Sequence, residues 1–220
     1  MRHNQEAQRN PGIVHHHPAA LFLARLISVI FHPLFIPLYV GIYLLFWHPL
    51  IFAGNSPDEK IRVLASVFVN LTFLPAFSVF LLWRLKFSSS IYLHTQKERI
   101  IPLAAIMLFS FWCWFVFRNL QAPPPFVHFL LGVFISIIAA WMGNILFKIS
   151  LHGIAVGGML FTVLNTEFRT ATVNPYFMCL AILITGFVLT ARLIASDHKQ
   201  ADVYTGFLAG IFSFWLATIL

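Results

Sequence analysis

Three short polar patches interrupt an otherwise oil-soluble chain of 220 residues, and each carries residue types suited to handling a phosphoryl group. The last patch is "ARLIASDHKQADV", residues 191 to 203. On a helix, His198 and Asp202 lie one turn apart on a single face. A carboxylate hydrogen-bonded to one imidazole nitrogen fixes the tautomer and leaves the other nitrogen to attack an electrophile. Arg192 ends the preceding apolar run and offers a planar fork of donors that suits phosphate oxygens.

The middle patch is "KISLHG", with Lys148, Ser150 and His152. Ser150 is a good helix N-cap, and the unpaired N–H groups behind it, with the helix dipole, make an anion site. Simple capping and phosphate contact both fit Ser150. His152 falls in that first turn, where it can protonate a leaving oxygen. Lys148 fits an interfacial anchor, with a place in the pocket as the alternative. The first patch is "QKERIIP". Its Lys97 and Arg99 add charge at phosphoryl oxygens, where transfer depends mainly on positioning and electrostatics.

The elements that position these patches must sit in lipid. The chain is 60% hydrophobic and only 10% charged, with 25 Phe. Soluble domains carry about a quarter charged residues. The net charge of +7 comes without a basic tract, so nucleic acid is not an expected partner. Cys113 and Cys179 lie inside apolar runs and fit small buried hydrophobes. His15 to His17 belong to a solvated polar tail over residues 1–18, and His32, His48 and His128 fit interfacial positions near span ends. No metal or other cofactor is expected.

Apolar runs of about 20 residues predict membrane-spanning helices. They fall near 34–53, 61–83, 100–120, 126–147, 151–165, 174–195 and 203–220. "AGNSPDEK", "QAPPP" and "TEFRTATVNP" separate them with turn formers. Residues 19–31 predict an interfacial helix that turns at His32-Pro33. The expected fold is all-α: a polytopic transmembrane helical bundle of six to seven spans plus that N-terminal helix. Residues 19–220 form one membrane-embedded domain. Gly153 with Gly157, and Gly206 with Gly210, are small-residue ridges through which two of these helices can meet.

Counting crossings puts all three patches on the face that holds the N-terminus. Ten of the fourteen Lys and Arg residues fall there. The positive-inside rule makes that face cytoplasmic, and a basic pocket for an anion explains the same charge. A bacterial inner membrane is the expected location, with the side of the active face open. A transporter finds little support, because no inverted repeat is visible.

The three patches together resemble the three motifs of the type 2 phosphatidic acid phosphatases, relatives of the vanadium haloperoxidases. Arg192, five residues, His198, three residues, Asp202-Val203 and Gly206 are similar to the third motif. Ser150-Leu151-His152 resembles the second, usually Pro-Ser-Gly-His. Lys97, Arg99 and Pro102 resemble a compressed first motif. The resemblance implies metal-independent hydrolysis of a lipid phosphate or diphosphate through a phosphohistidine. His198 would be the nucleophile, Asp202 its orienting carboxylate and His152 the acid. Lys97, Arg99, Ser150 and Arg192 would hold the phosphate. Ile149 and Leu151 replace the usual Pro and Gly, and Ala191 replaces the usual Ser. The alternative is therefore a catalytically inactive relative that binds anionic lipids or scaffolds a partner.

Overall fold

The computed structural model describes residues 17–87, 95–146, 148–170, 173–195 and 199–220, and among them it is helical with no strand. Helices are what lipid permits, because each satisfies its own backbone donors and acceptors. In chain order they are α1 (Pro18–Ile30), α2 (Ile36–Trp47), α3 (Pro57–Arg84), α4 (Gln96–Asn119), α5 (Pro124–Leu146), α6 (Leu151–Arg169), α7 (Pro175–Ala195) and α8 (Gln200–Ala217).

Local chemistry sets the boundaries. Pro18, Pro57, Pro124 and Pro175 open their helices, where a missing N–H costs nothing. Ser56 with Glu59, and Thr95 with Glu98, form reciprocal capping boxes for α3 and α4. His17 caps α1, its Nδ1 accepting from the Ala19 N–H. Inside α3, residues 69–73 widen into a π-turn just before buried Pro75. Proline has no N–H to give and crowds the preceding turn, and the wider turn relieves both problems.

Four helices, α3, α4, α5 and α7, are long and apolar enough to cross a membrane. The other expected spans came out differently. The run near 34–53 is a short helix of seven α-helical residues continued by a five-residue π-turn. At about 1.5 Å per residue it reaches little more than half of a hydrocarbon core of about 30 Å. The runs near 151–165 and 203–220 are α6, which other helices bury on most sides, and α8, which keeps Tyr204, Leu208, Phe212 and Trp215 exposed on one face.

The two glycine ridges do meet. A Cβ on Gly153 would lie 2.7 Å from the Val203 carbonyl oxygen, and one on Gly206 would lie 2.5 Å from that of Ser150. Gly157 faces the Phe207 carbonyl and Gly210 that of Ile154 in the same way. Backbone thus packs on backbone along α6 and α8. Around this pair sits the apolar core, with Leu44, Leu45, Phe126, Leu130, Val156 and Val188 all buried. Phe126 is gripped by Phe52 and Phe117, with ring centroids 5.3 and 5.2 Å away.

Each end of the bundle is tied by polar contacts. At one end, Asn144 Nδ2 donates to the Gln96 carbonyl (2.8 Å) and Trp141 Nε1 to that of Ile100 (3.2 Å). At that end, too, the Ser150 N–H donates to the Asp202 carbonyl (3.1 Å). This last bond joins the second and third polar patches directly. α1 packs along α7, burying Ala24 and Ser28 and turning Phe22, Leu23 and Val29 outward. The chain then turns at His32-Pro33, and Thr72 Oγ1 of α3 holds the turn by donating to the Leu34 carbonyl (2.9 Å).

Candidate functional site

Arg99 near the start of α4, His152 in the first turn of α6 and Arg192 near the end of α7 all line one cavity. Its volume is about 590 Å³. A fourth polar residue joins them: His32, from the turn between α1 and α2. Most of the remaining wall is apolar, with Leu71, Val79, Leu103, Phe129, Met159 and Phe214 among its residues. Two guanidiniums and two imidazoles thus share a chamber with an oily body. The charges of Arg99 and Arg192 act on one another across it. Two cations lining one cavity attract an anion that enters it.

Ser28 of α1 organises one wall. His152 Nε2 lies 3.0 Å from the Ser28 carbonyl, which can only accept, so that nitrogen carries the proton. Arg192 Nη1 reaches Ser28 Oγ at 3.4 Å, and that hydroxyl donates to the Ala24 carbonyl (2.8 Å). The rings of His32 and His152 stand edge to face, centroids 5.5 Å apart. His32 Nδ1 accepts from the Leu34 N–H at 3.3 Å. Burial against protein, then the charge of Arg192, hold the His32 imidazole below its ordinary value.

The other residues singled out in the sequence fall as follows. Lys97 and Lys148 are exposed and do not line the cavity. Ser150 is buried, and its Oγ accepts from the Gly153 N–H (3.3 Å), so it caps α6. Asp202 caps α8, its Oδ2 accepting from the Lys199 N–H (3.0 Å). His198 lies outside the described residues. Asp202 nonetheless places the start of α8 beside the start of α6, because its carbonyl receives the Ser150 N–H.

One cavity residue and one residue that braces the cavity's polar groups went unrecognised in the sequence. His32 read as interfacial, and the serine at position 28 sits unmarked in an apolar run. The one local signal was the His-Pro turn itself, whose neighbours in space come from helices far along the chain. A second buried polar cluster, at the opposite end of the bundle, was also missed. Glu167 accepts from Tyr43 Oη (2.6 Å) and from the Asn174 N–H (2.7 Å). His48 Nε2 lies 3.2 Å from Thr170 Oγ1 beside it. The Glu167 carboxylate therefore sits just ahead of the N-terminus of α7, where negative charge is favoured. A smaller cavity of about 240 Å³ lies between α3 and α4, with Arg62 its one charged wall residue. Among the described residues no group of three or more His, Cys, Asp or Glu side chains is placed to hold a metal ion.

Fold and cavity define a class: a helical bundle of membrane type, enclosing a chamber that is cationic in one part and apolar in the rest. No family model, curated protein or solved structure matches the chain.

Proposed function

We propose that the protein is a membrane-embedded lipid phosphatase, a divergent member of the type 2 phosphatidic acid phosphatase family. It would hydrolyse a lipid phosphate or diphosphate without a metal ion. The observation that carries this reading is the cavity where Arg99, His152 and Arg192, from three separate helices, meet above apolar walls. That lining matches an amphiphile with an anionic head and a hydrocarbon tail. Six to seven crossings of a bacterial inner membrane would put the head at one bilayer surface and the tail in the chamber.

In the reaction, Arg99 and Arg192 hold the phosphoryl oxygens, with Lys97 drawing the anion in from outside. His198 attacks phosphorus. A P–N bond forms as the P–O bond to the lipid breaks, and His152 gives its proton to the departing oxygen. Water then attacks the phosphohistidine, giving a proton back to His152 and releasing phosphate. Asp202 orients His198 from one helical turn away. Ser150 supports this indirectly, by capping α6 and binding the start of α8.

The second reading, a catalytically silent lipid-binding relative, draws on Ile149 and Leu151 in the second motif and on the Ser28 carbonyl that holds the His152 proton. A single assay separates the two. Purified protein in detergent with chelator should release phosphate from phosphatidate or an isoprenyl diphosphate. His198→Ala should abolish that release and vanadate should inhibit it. Arg192→Ala should lower the rate about 100-fold, the scale of losing a donor to developing charge. Binding of lipid phosphate without any release would establish the silent relative instead.

A further inference from the structure

We infer that His32 is a third donor to the anion in this cavity, offering Nε2–H to the tetrahedral oxyanion that Arg99 and Arg192 hold. The inference rests on the cavity being an oxyanion site, and it goes beyond the motif residues, none of which lies before Lys97.

The geometry is specific. The His32 ring lines the cavity, packed on one side against protein and in part still accessible. Its Nδ1 is occupied by the Leu34 N–H of its own turn. An imidazole that accepts at Nδ1 carries its neutral-state proton on Nε2. That nitrogen sits on the opposite side of the ring, directed away from the turn. Among the described residues, none forms a hydrogen bond to it. The ring is fixed edge to face against His152, and the turn is held from α3 by Thr72. A residue serving only as an interfacial anchor would point to the headgroups outside the bundle.

Among the described residues, the charged and titratable groups that line the cavity with His32 are Arg192 from α7, His152 from α6 and Arg99 from α4. Without an anion, burial and Arg192 favour the neutral ring. A dianion between the arginines reverses the local field and favours the imidazolium. Binding therefore takes up a proton, and the N–H···O contact becomes charge-assisted. An anion should then bind more tightly as pH falls through the imidazole range.

Sulfate is the probe, because it is tetrahedral and keeps its charge across that range. Protein labelled with ¹⁵N-histidine is observed in lipid nanodiscs at pH 7, and the signal absent from His32→Gln assigns His32. Added sulfate should move that signal from the Nε2–H tautomer to the imidazolium. Sulfate affinity should fall roughly tenfold in His32→Ala, while His32→Gln, which keeps a donor, retains most of the affinity at pH 7, and both variants should lose much of the rise at low pH. A His32 signal indifferent to sulfate, or a His32→Ala protein that binds sulfate as tightly as wild type, overturns the inference. If His32→Ala fails to fold, the wild-type shift and the Gln variant still decide. The outcomes also separate this inference from the phosphatase reading. Hydrolysis that needs His198 but ignores His32 removes the inference alone. Sulfate held through His32 without any hydrolysis removes the phosphatase alone.

Discussion

Glu167 keeps a carboxylate almost fully inside the protein, 1% exposed, with Tyr43 Oη and the Asn174 N–H as its donors. Both partners need an acceptor. A glutamine there would turn its amide N–H₂ toward one donor, leaving a buried polar group unmatched. Glu167→Gln should therefore cost about 1–3 kcal/mol, measured as a fall in unfolding midpoint, with sulfate binding at the far end little changed. Beside it, burial lowers the His48 imidazole and the Glu167 charge only partly opposes this. His32 is shifted the same way. For such a group the folded state prefers the neutral ring. Stability is thus complete above the ordinary imidazole value of about 6.5 and declines as pH drops below it. Thermal unfolding of the anion-free protein followed from pH 8 to pH 5 should show that decline, and His48→Gln should flatten part of it. A midpoint that rises on acidification would contradict the assignment.

At the scale of elements, the α6–α8 pair is the part whose sequence logic carried straight through to structure. Glycines four apart are a local pattern, and close helix approach is their direct consequence. Not every glycine has this duty. A Cβ at Gly210 would run into the Ile154 backbone, whereas Gly186 on α7 has nothing within 4 Å. Gly210→Ala should destabilise by about 1–3 kcal/mol, the usual range for overpacking. Gly186→Ala should be neutral or stabilising by up to about 1 kcal/mol, through helix propensity. Equal effects in chemical denaturation would refute the packing account. The short α2 and the π-turns were less legible. Hydropathy reports that a run is apolar, and it does not report where the backbone shifts register. That depends on Pro75 and on what packs beside the turn.

For the whole molecule, the polar patches and the glutamate cluster occupy opposite ends of the bundle. If the bundle spans a membrane as proposed, Lys86 and Lys148 face one side and Asn55 the other. Cysteines introduced one at a time at these positions, in a Cys179→Ser background that keeps only the buried Cys113, should react with an impermeant maleimide from opposite sides of sealed vesicles. Labelling of all three from one side would refute the topology. The sequence by itself determined that the chain is helical, that it holds runs apolar enough to cross a membrane, and where most helices break. Each of these is a property of neighbouring residues: hydropathy over twenty positions, a proline, a cap, a spacing of four. Only the tertiary structure decided which polar residues share a chamber. It drew His32 into the cavity, set Ser28 behind its His152 and Arg192, left Lys97 and Lys148 outside, and gave Ser150 and Asp202 to helix caps. It also buried most of α6 among other helices and left one face of α8 exposed. The reason is distance along the chain: His152 and Arg192 meet Ser28 across 124 and 164 residues. Convergence over such separations follows from how whole helices pack, and no local window of sequence contains it.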